Sequence, residues 1–295
     1  MPKQTESIPY DSLPDTLRAL IDHLIQRPSQ QPEDEFSTAF LAGALIAIFV
    51  IAGIIIFMYS VHLVEGQIAF HAKLKERERQ VLKEYFRYYH TLSMESRILF
   101  EKRLAMFMSL KKFRSKQGFA NPLEARVLVS AVAIQLSMGL PKFTLPHFRN
   151  IFIFPEAYYS HITERYHKGE VNLNGRIVIS WKDFILGMKH PEDGLHVGIH
   201  EFAHAFYFEN YIDNDDYLFI DDVAFKRYFA LATGEIDKIK KKLPSFIREY
   251  AATNEQEFFA VTTEHFFEQP ADMKMKLPEL YDALAQVWNQ DPAAY

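Results

Sequence analysis

Residues Gly194–Asn210 read GLHVGIHEFAHAFYFEN, with His200, Glu201 and His204 in the order HExxH. Residues four apart on an α-helix lie about 40° from one another around its axis, so both imidazoles can reach one ion from the same side. Glu201 projects beside them. Imidazole suits Zn²⁺, and two histidines leave room for a third protein ligand and a water. Bound zinc lowers the pKa of such a water to about 7, and a carboxylate next to the first ligand can take its proton. Leu195, Ile199, Phe202 and Phe206 fall on the opposite side, which gives the helix a core face and a chemical face. The stretch has no Lys or Arg, a poor composition for a solvated surface.

The chain of 295 residues is 48% hydrophobic and 24% charged, enough apolar material for a packed core and too little charge for a disordered chain. A net charge of −5, with no Lys/Arg block interleaved with aromatics, argues against a nucleic-acid surface. The absence of cysteine excludes disulfides, Cys-ligated zinc and a thiol nucleophile.

Around the motif the chain alternates short strands with helices. Asn174 and Gly175 form a turn signal before Arg176–Trp181 (RIVISW), a β-branched strand that either lines the cleft and accepts an extended peptide as an added strand or is a plain core strand. Further upstream, a helix is expected over 95–113 and another from the Asn121, Pro122, Glu124 start signal to Met138, with Gly139 ending it. Ile151–Phe154, closed by Pro155, reads as a strand. Downstream come an acidic loop at 213–216, a helix over 221–242, a break at Pro244 and a last helix at Pro278–Asn289. Between the last two, Asn254–Phe267 (NEQEFFAVTTEHFF) places Glu257 and Glu264 nearly in line on one helical face among aromatic residues. Carboxylates in such surroundings need a partner, which a metal would supply. Position alone does not say which of the two binds it.

The N-terminal quarter has a different character. Residues 1–35 form an acidic tail in which Leu13, Leu17, Leu20, Ile21 and Leu24 recur at helical spacing; a mobile tail is the plainer reading. Residues 36–64 carry no Asp, Glu, Lys or Arg and are expected to form one transmembrane helix, a retained anchor too far from Met1 for a cleaved signal peptide. Arg18 and Arg27 precede it; Lys73, Lys75, Arg77, Arg79 and Lys83 follow it. This asymmetry puts the C-terminal side in the cytoplasm, hence an inner-membrane, single-pass protein with its N-terminus outside. Residues 65–94 are expected to be a juxtamembrane helical linker, with Leu74, Val81, Leu82, Tyr85 and Tyr89 available for packing, and 95–295 a catalytic domain.

With HEFAH, GRIVISW and EFFAVTTEHFF together, the chain from about Arg97 to Asp291 resembles the zincin-like metallopeptidases typified by Mlc titration factor A, the glucose-regulated, M90-like peptidases. The resemblance implies an α+β zincin-like domain, a small mixed sheet over the HExxH helix. It implies His200, His204 and Glu257 as Zn²⁺ ligands, Glu201 as general base, and Tyr250 as a hydrogen-bond donor to the oxyanion. Glu264 becomes a supporting or structural carboxylate. The implied activity is peptide hydrolysis of aminopeptidase type; the alternative is a tethered module that sequesters a cytoplasmic regulator, as the family's namesake binds a transcriptional repressor. Two positions depart from the family pattern. Tyr207 stands where an Asp is usual, and His196, where Asn is more frequent, lies one helical turn from His200 and either binds metal or substrate or, on the plainer reading, is a rim histidine.

Overall fold

The computed structural model describes residues 10–12, 14–25, 40–56, 71–120, 122–160, 164–212 and 220–294. The chain divides into two compact units, Met1–Leu63 and Val64–Tyr295.

In the first unit, Asp15–Ile25 forms helix α1, so the helical spacing of the tail is realised there. Residues 40–56 form α2, on which Phe40, Leu45, Phe49, Ile51 and Ile55 are all exposed. The flanks of the expected membrane span, 36–39 and 57–64, lie outside the described residues. Among the described residues no helix is long and apolar enough to cross a membrane.

The second unit opens with α3 (Glu76–Tyr85), α4 (Arg87–Thr91) and α5 (Met94–Leu110). Leu74, Val81, Leu82, Phe86 and Tyr89 join Phe100, Leu104 and Phe107 in one core, while Tyr85 stays exposed. The buried side of α3 is locked by Arg79, which donates to both oxygens of Glu101 at 2.9–3.1 Å. Residues expected to form a linker therefore contribute to the same core as the domain behind them.

Helix α5 stops short of the expected residue 113 because Lys111 turns inward. Its Nζ donates to the carbonyls of Thr144, Leu145 and Phe148 at 2.6–2.7 Å, and the chain leaves it extended as β1 (Lys112–Ser115). Helix α6 follows (Leu123–Ser137), with Asn121 outside the described residues. After it, Gly139 lies where a Cβ would strike the carbonyls of Trp288 and Asn289.

The strands β2 (Asn150–Phe154), β3 (Tyr158–Ser160), β4 (Arg165–His167), β5 (Gly169–Asn172) and β6 (Arg176–Ser180) come next. The main sheet has the order β1-β2-β6-β5, parallel except for the β5–β6 hairpin, whose turn uses Gly175 at φ +76°. β3 and β4 form a separate antiparallel pair. Ile151, Ile153, Ile177 and Ile179 alternate onto one face and are fully buried. β6 is paired on both sides, so it is a core strand with no edge for an added peptide; the edge on that side is β5. Trp181 belongs to α7 (Trp181–Lys189), whose start is capped by the Ser180 hydroxyl.

Helix α8 (Val197–Ile212) packs on β5, β6 and α6 and, across from them, on α10 (Glu255–Glu268). α9 (Asp222–Lys240) and a 3-10 turn at Glu249–Thr253 lead into α10; α11 (Pro270–Lys276) and α12 (Pro278–Trp288) close the unit. Asp221 and Asn254 cap α9 and α10 through their side-chain oxygens. The acidic loop at 213–216 lies outside the described residues. The expected α+β class with a small mixed sheet is what the chain adopts.

Burial pushes the Lys111 ammonium down to about 7 against the pull of Glu209, so its three carbonyl acceptors are what make an amine tolerable there. Lys111→Met strips those carbonyls of their donor. Urea unfolding should show a loss of about 2–4 kcal/mol; a change under about 0.5 kcal/mol would mean the lysine does not hold the α5–β1 junction.

Candidate metal centre

His196 stands immediately before helix α8. The N–H groups of Gly198 and Ile199 donate to its Nδ1 at 3.0 and 3.3 Å, and the ring packs edge-on against Phe184. It is therefore a buried helix cap and not a rim histidine. Burial pushes its pKa down to about 4, which keeps Nδ1 a neutral acceptor. Leu195, expected on the core face, precedes the helix and is exposed, whereas Ile199, Phe202 and Phe206 are buried as the spacing requires.

One turn further, His200 and His204 bring their Nε2 atoms to 3.1 Å of each other, with the rings nearly perpendicular at 84°. Glu257, in the first turn of α10, completes the group: its carboxylate lies 3.2 Å from His200 Nε2 and 3.5 Å from His204 Nε2. The ligand atoms of these three residues all fall within 4.8 Å of one another, an arrangement that could hold a metal ion. Donors placed tetrahedrally about 2.0–2.2 Å from a zinc ion sit about 3.3–3.6 Å apart, so the spacing fits. So does the chemistry. Glu257 Oε2 is buried without a hydrogen-bond partner. Burial alone would raise the Glu257 carboxyl, yet His200 and His204 hold it far below the usual range. Burial likewise works against a charge on His200, but Glu257 and Glu264 reverse this and push it up to about 10. The His200 shift marks a position where the neighbouring carboxylates favour positive charge.

Glu264 stands behind His200. Its Oε1 accepts from His200 Nδ1 at 2.8 Å and its Oε2 from the His196 N–H at 2.8 Å. Arg248 donates to the same carboxylate at 2.5 Å and also to the Gly194 carbonyl. Burial would raise the Glu264 carboxyl; His200 and Arg248 together hold it below the usual range. An Nδ1–H given to Glu264 sets the ring so that Nε2 is the nitrogen His200 turns to Glu257 and His204. Of the two glutamates that position left open, Glu257 faces the histidine pair and Glu264 orients one of its members. Arg248 is a residue that no spacing rule singles out.

Glu201 is buried and has no hydrogen-bond partner among the described residues. Burial raises its pKa to about 8; His200 opposes this, and the nearby Glu257, Glu264 and Glu170 add to it. Tyr250 is half exposed on the 3-10 turn, its ring centroid 6.3 Å from that of His200. Burial and the Glu257 charge push its phenol up to about 12, so it remains a donor at neutral pH. Tyr207 does not reach the histidines' polar side. It is buried among Tyr211, Phe225, Phe229 and Phe259, an aromatic cluster in which a carboxylate would be costly.

An uncharacterized protein of Synechocystis sp. is 25% identical over 243 residues, covering 76% of this chain and 87% of its own length. Mlc titration factor A of Salmonella agona is 27% identical over 207 residues, 63% of this chain and 76% of its own length, and that of Salmonella typhimurium matches to the same extent. The profile of the family described as glucose-regulated metallo-peptidase M90 matches residues 63–289, which spans the whole site. The chain belongs to the glucose-regulated metallo-peptidase M90 family.

Proposed function

We propose that this protein is a membrane-anchored zinc peptidase in which His200, His204 and Glu257 hold the ion, Glu201 is the general base and Tyr250 steadies the oxyanion. The observation that carries the reading is the convergence of three metal-type donors, His200 and His204 of α8 and Glu257 of α10, beside the buried Glu201. Bound zinc supplies a Lewis acid that polarises a peptide carbonyl and makes water more acidic. The protein's residues do the rest. Glu264 fixes the His200 ring, and Glu257 offsets the ion's charge. Glu201, as the carboxylate beside the ion, takes a proton from the attacking water at a carboxylate oxygen. The same proton passes to the leaving amine nitrogen as the C–N bond breaks. The Tyr250 hydroxyl donates to the developing oxyanion. Membership of the family points to aminopeptidase-type action on peptides or proteins.

A second reading follows from the relatives named Mlc titration factor A. On that reading the domain binds a cytoplasmic transcriptional regulator and holds it at the membrane with little or no catalysis. The anchor itself, residues 36–64, is supported by the uncharged stretch and by the exposed apolar side chains of α2. The Lys and Arg residues that follow favour the inner membrane with the N-terminus outside.

Metal content and peptide hydrolysis, measured together on the full chain in detergent, test the first reading. Glu201→Gln should keep one zinc and lose at least about 100-fold in kcat. Glu257→Ala should lose zinc and activity together. Retained zinc with no turnover by the wild type over a broad peptide panel would favour the titrating module, whose partner binding Glu201→Gln should spare. Alkaline carbonate extraction of cell membranes tests the anchor: the chain should stay in the pellet, and deletion of residues 36–64 should release it. Release of the intact chain would contradict the anchor.

A further inference from the structure

Glu201 poses a question that the metal ligands do not. The residue is 5% exposed, no hydrogen bond joins its carboxylate to another described residue, and it must still be held at one place beside the ion site. What touches it is the backbone of the edge strand. A Cβ built at Gly169 would fall on Glu201 itself, meeting Oε1, Cγ and Cδ more closely than side chains ever approach, and all three of its nearest atoms belong to that residue. Gly169 adopts no unusual backbone conformation, so the reason for a glycine here is space and not φ.

The strand cannot retreat. Gly169 is in register with Ile179 of β6, whose side chain is fully buried, and the Ser180 N–H donates to the Lys168 carbonyl at 2.7 Å. On the next residue, Glu170 accepts from the Tyr158 hydroxyl at 2.6 Å, which ties β5 to the β3–β4 pair. The edge strand is thereby fixed from two sides at the point where it meets the carboxylate.

We infer that Gly169 is a positioning residue for Glu201: the bare edge of β5 is a steric seat that holds the general base without a hydrogen bond, leaving its lone pairs for the proton. The inference rests on Glu201 being that base, and its consequence for substrates is concrete: the wall that seats Glu201 must present backbone only at this point.

Gly169→Ala, Glu201→Ala and the double variant of the full chain decide it, with thermal midpoint, zinc content, kcat and KM measured on each. The collision predicts that Gly169→Ala lowers the midpoint in the wild-type background and not in the Glu201→Ala background, where the clashing atoms are gone. It also predicts one zinc in Gly169→Ala, KM within twofold of wild type and kcat down by about 100-fold, the loss expected of a group displaced by about 1 Å. A midpoint loss of equal size in both backgrounds, or a Gly169→Ala enzyme with wild-type kcat and midpoint, overturns the inference. If the wild type hydrolyses no peptide, the catalytic reading of Glu201 fails, while the midpoints still decide whether Gly169 seats it.

Discussion

His200, His204, Glu257 and Glu264 meet across the contact between α8 and α10 with little access to water. Burying such groups is costly unless each finds an opposite charge or a hydrogen bond, and the architecture around them supplies those partners. The pairings run in opposite directions along the two helices: Glu264 serves His196 and His200, and Glu257, two turns earlier, serves His200 and His204. Asn254 caps α10 immediately before Glu257, and His196 caps α8 immediately before His200. The helix starts thus fix the height at which the side chains meet.

The sheet and the remaining helices keep that contact in register. Strand β6, with its buried Ile177 and Ile179, packs on α8, while Phe259 of α10 and Trp288 of α12 meet α8 at Tyr207 and Phe206. The Phe259 and Trp288 rings stack with centroids 5.6 Å apart, and Tyr207 joins the same aromatic layer. A tyrosine in place of the family's usual aspartate therefore has a packing explanation. His204 is left without an acceptor at Nδ1, whereas His200 has one in Glu264. The two histidines are not equivalent: His200 is oriented by a charged network that includes Arg248, His204 by packing, with the Phe208 ring stacked 6.3 Å away.

Much of this was legible in the chain itself. The HExxH spacing and the apolar positions Ile199, Phe202 and Phe206 give a helix with two faces, because both follow from a 3.6-residue period. The choice between Glu257 and Glu264 was not legible, since residues two turns apart share a face and only the antiparallel approach of α8 separates them. Short elements escaped for other reasons. β1 (KFRS) has charges at alternate places and no apolar alternation; the strand exists because Lys111 is drawn into a cage of carbonyls contributed by a distant loop. α7 was hidden by β-branched residues running into Trp181, although Ser180 with Asp183 three residues later is a helix-start signal. His196, whose role is to cap, carries no spacing signature at all.

The central claim is that His200, His204 and Glu257 form one zinc site. Diffraction from crystals of the zinc-loaded protein, collected above and below the zinc absorption edge, tests it most directly. The account predicts a single strong anomalous peak, about 2.0–2.2 Å from both Nε2 atoms and from a Glu257 oxygen, with Glu264 bonded to His200 and not to the ion. A peak coordinated by Glu264 instead of Glu257, or none between the two histidines, would contradict it.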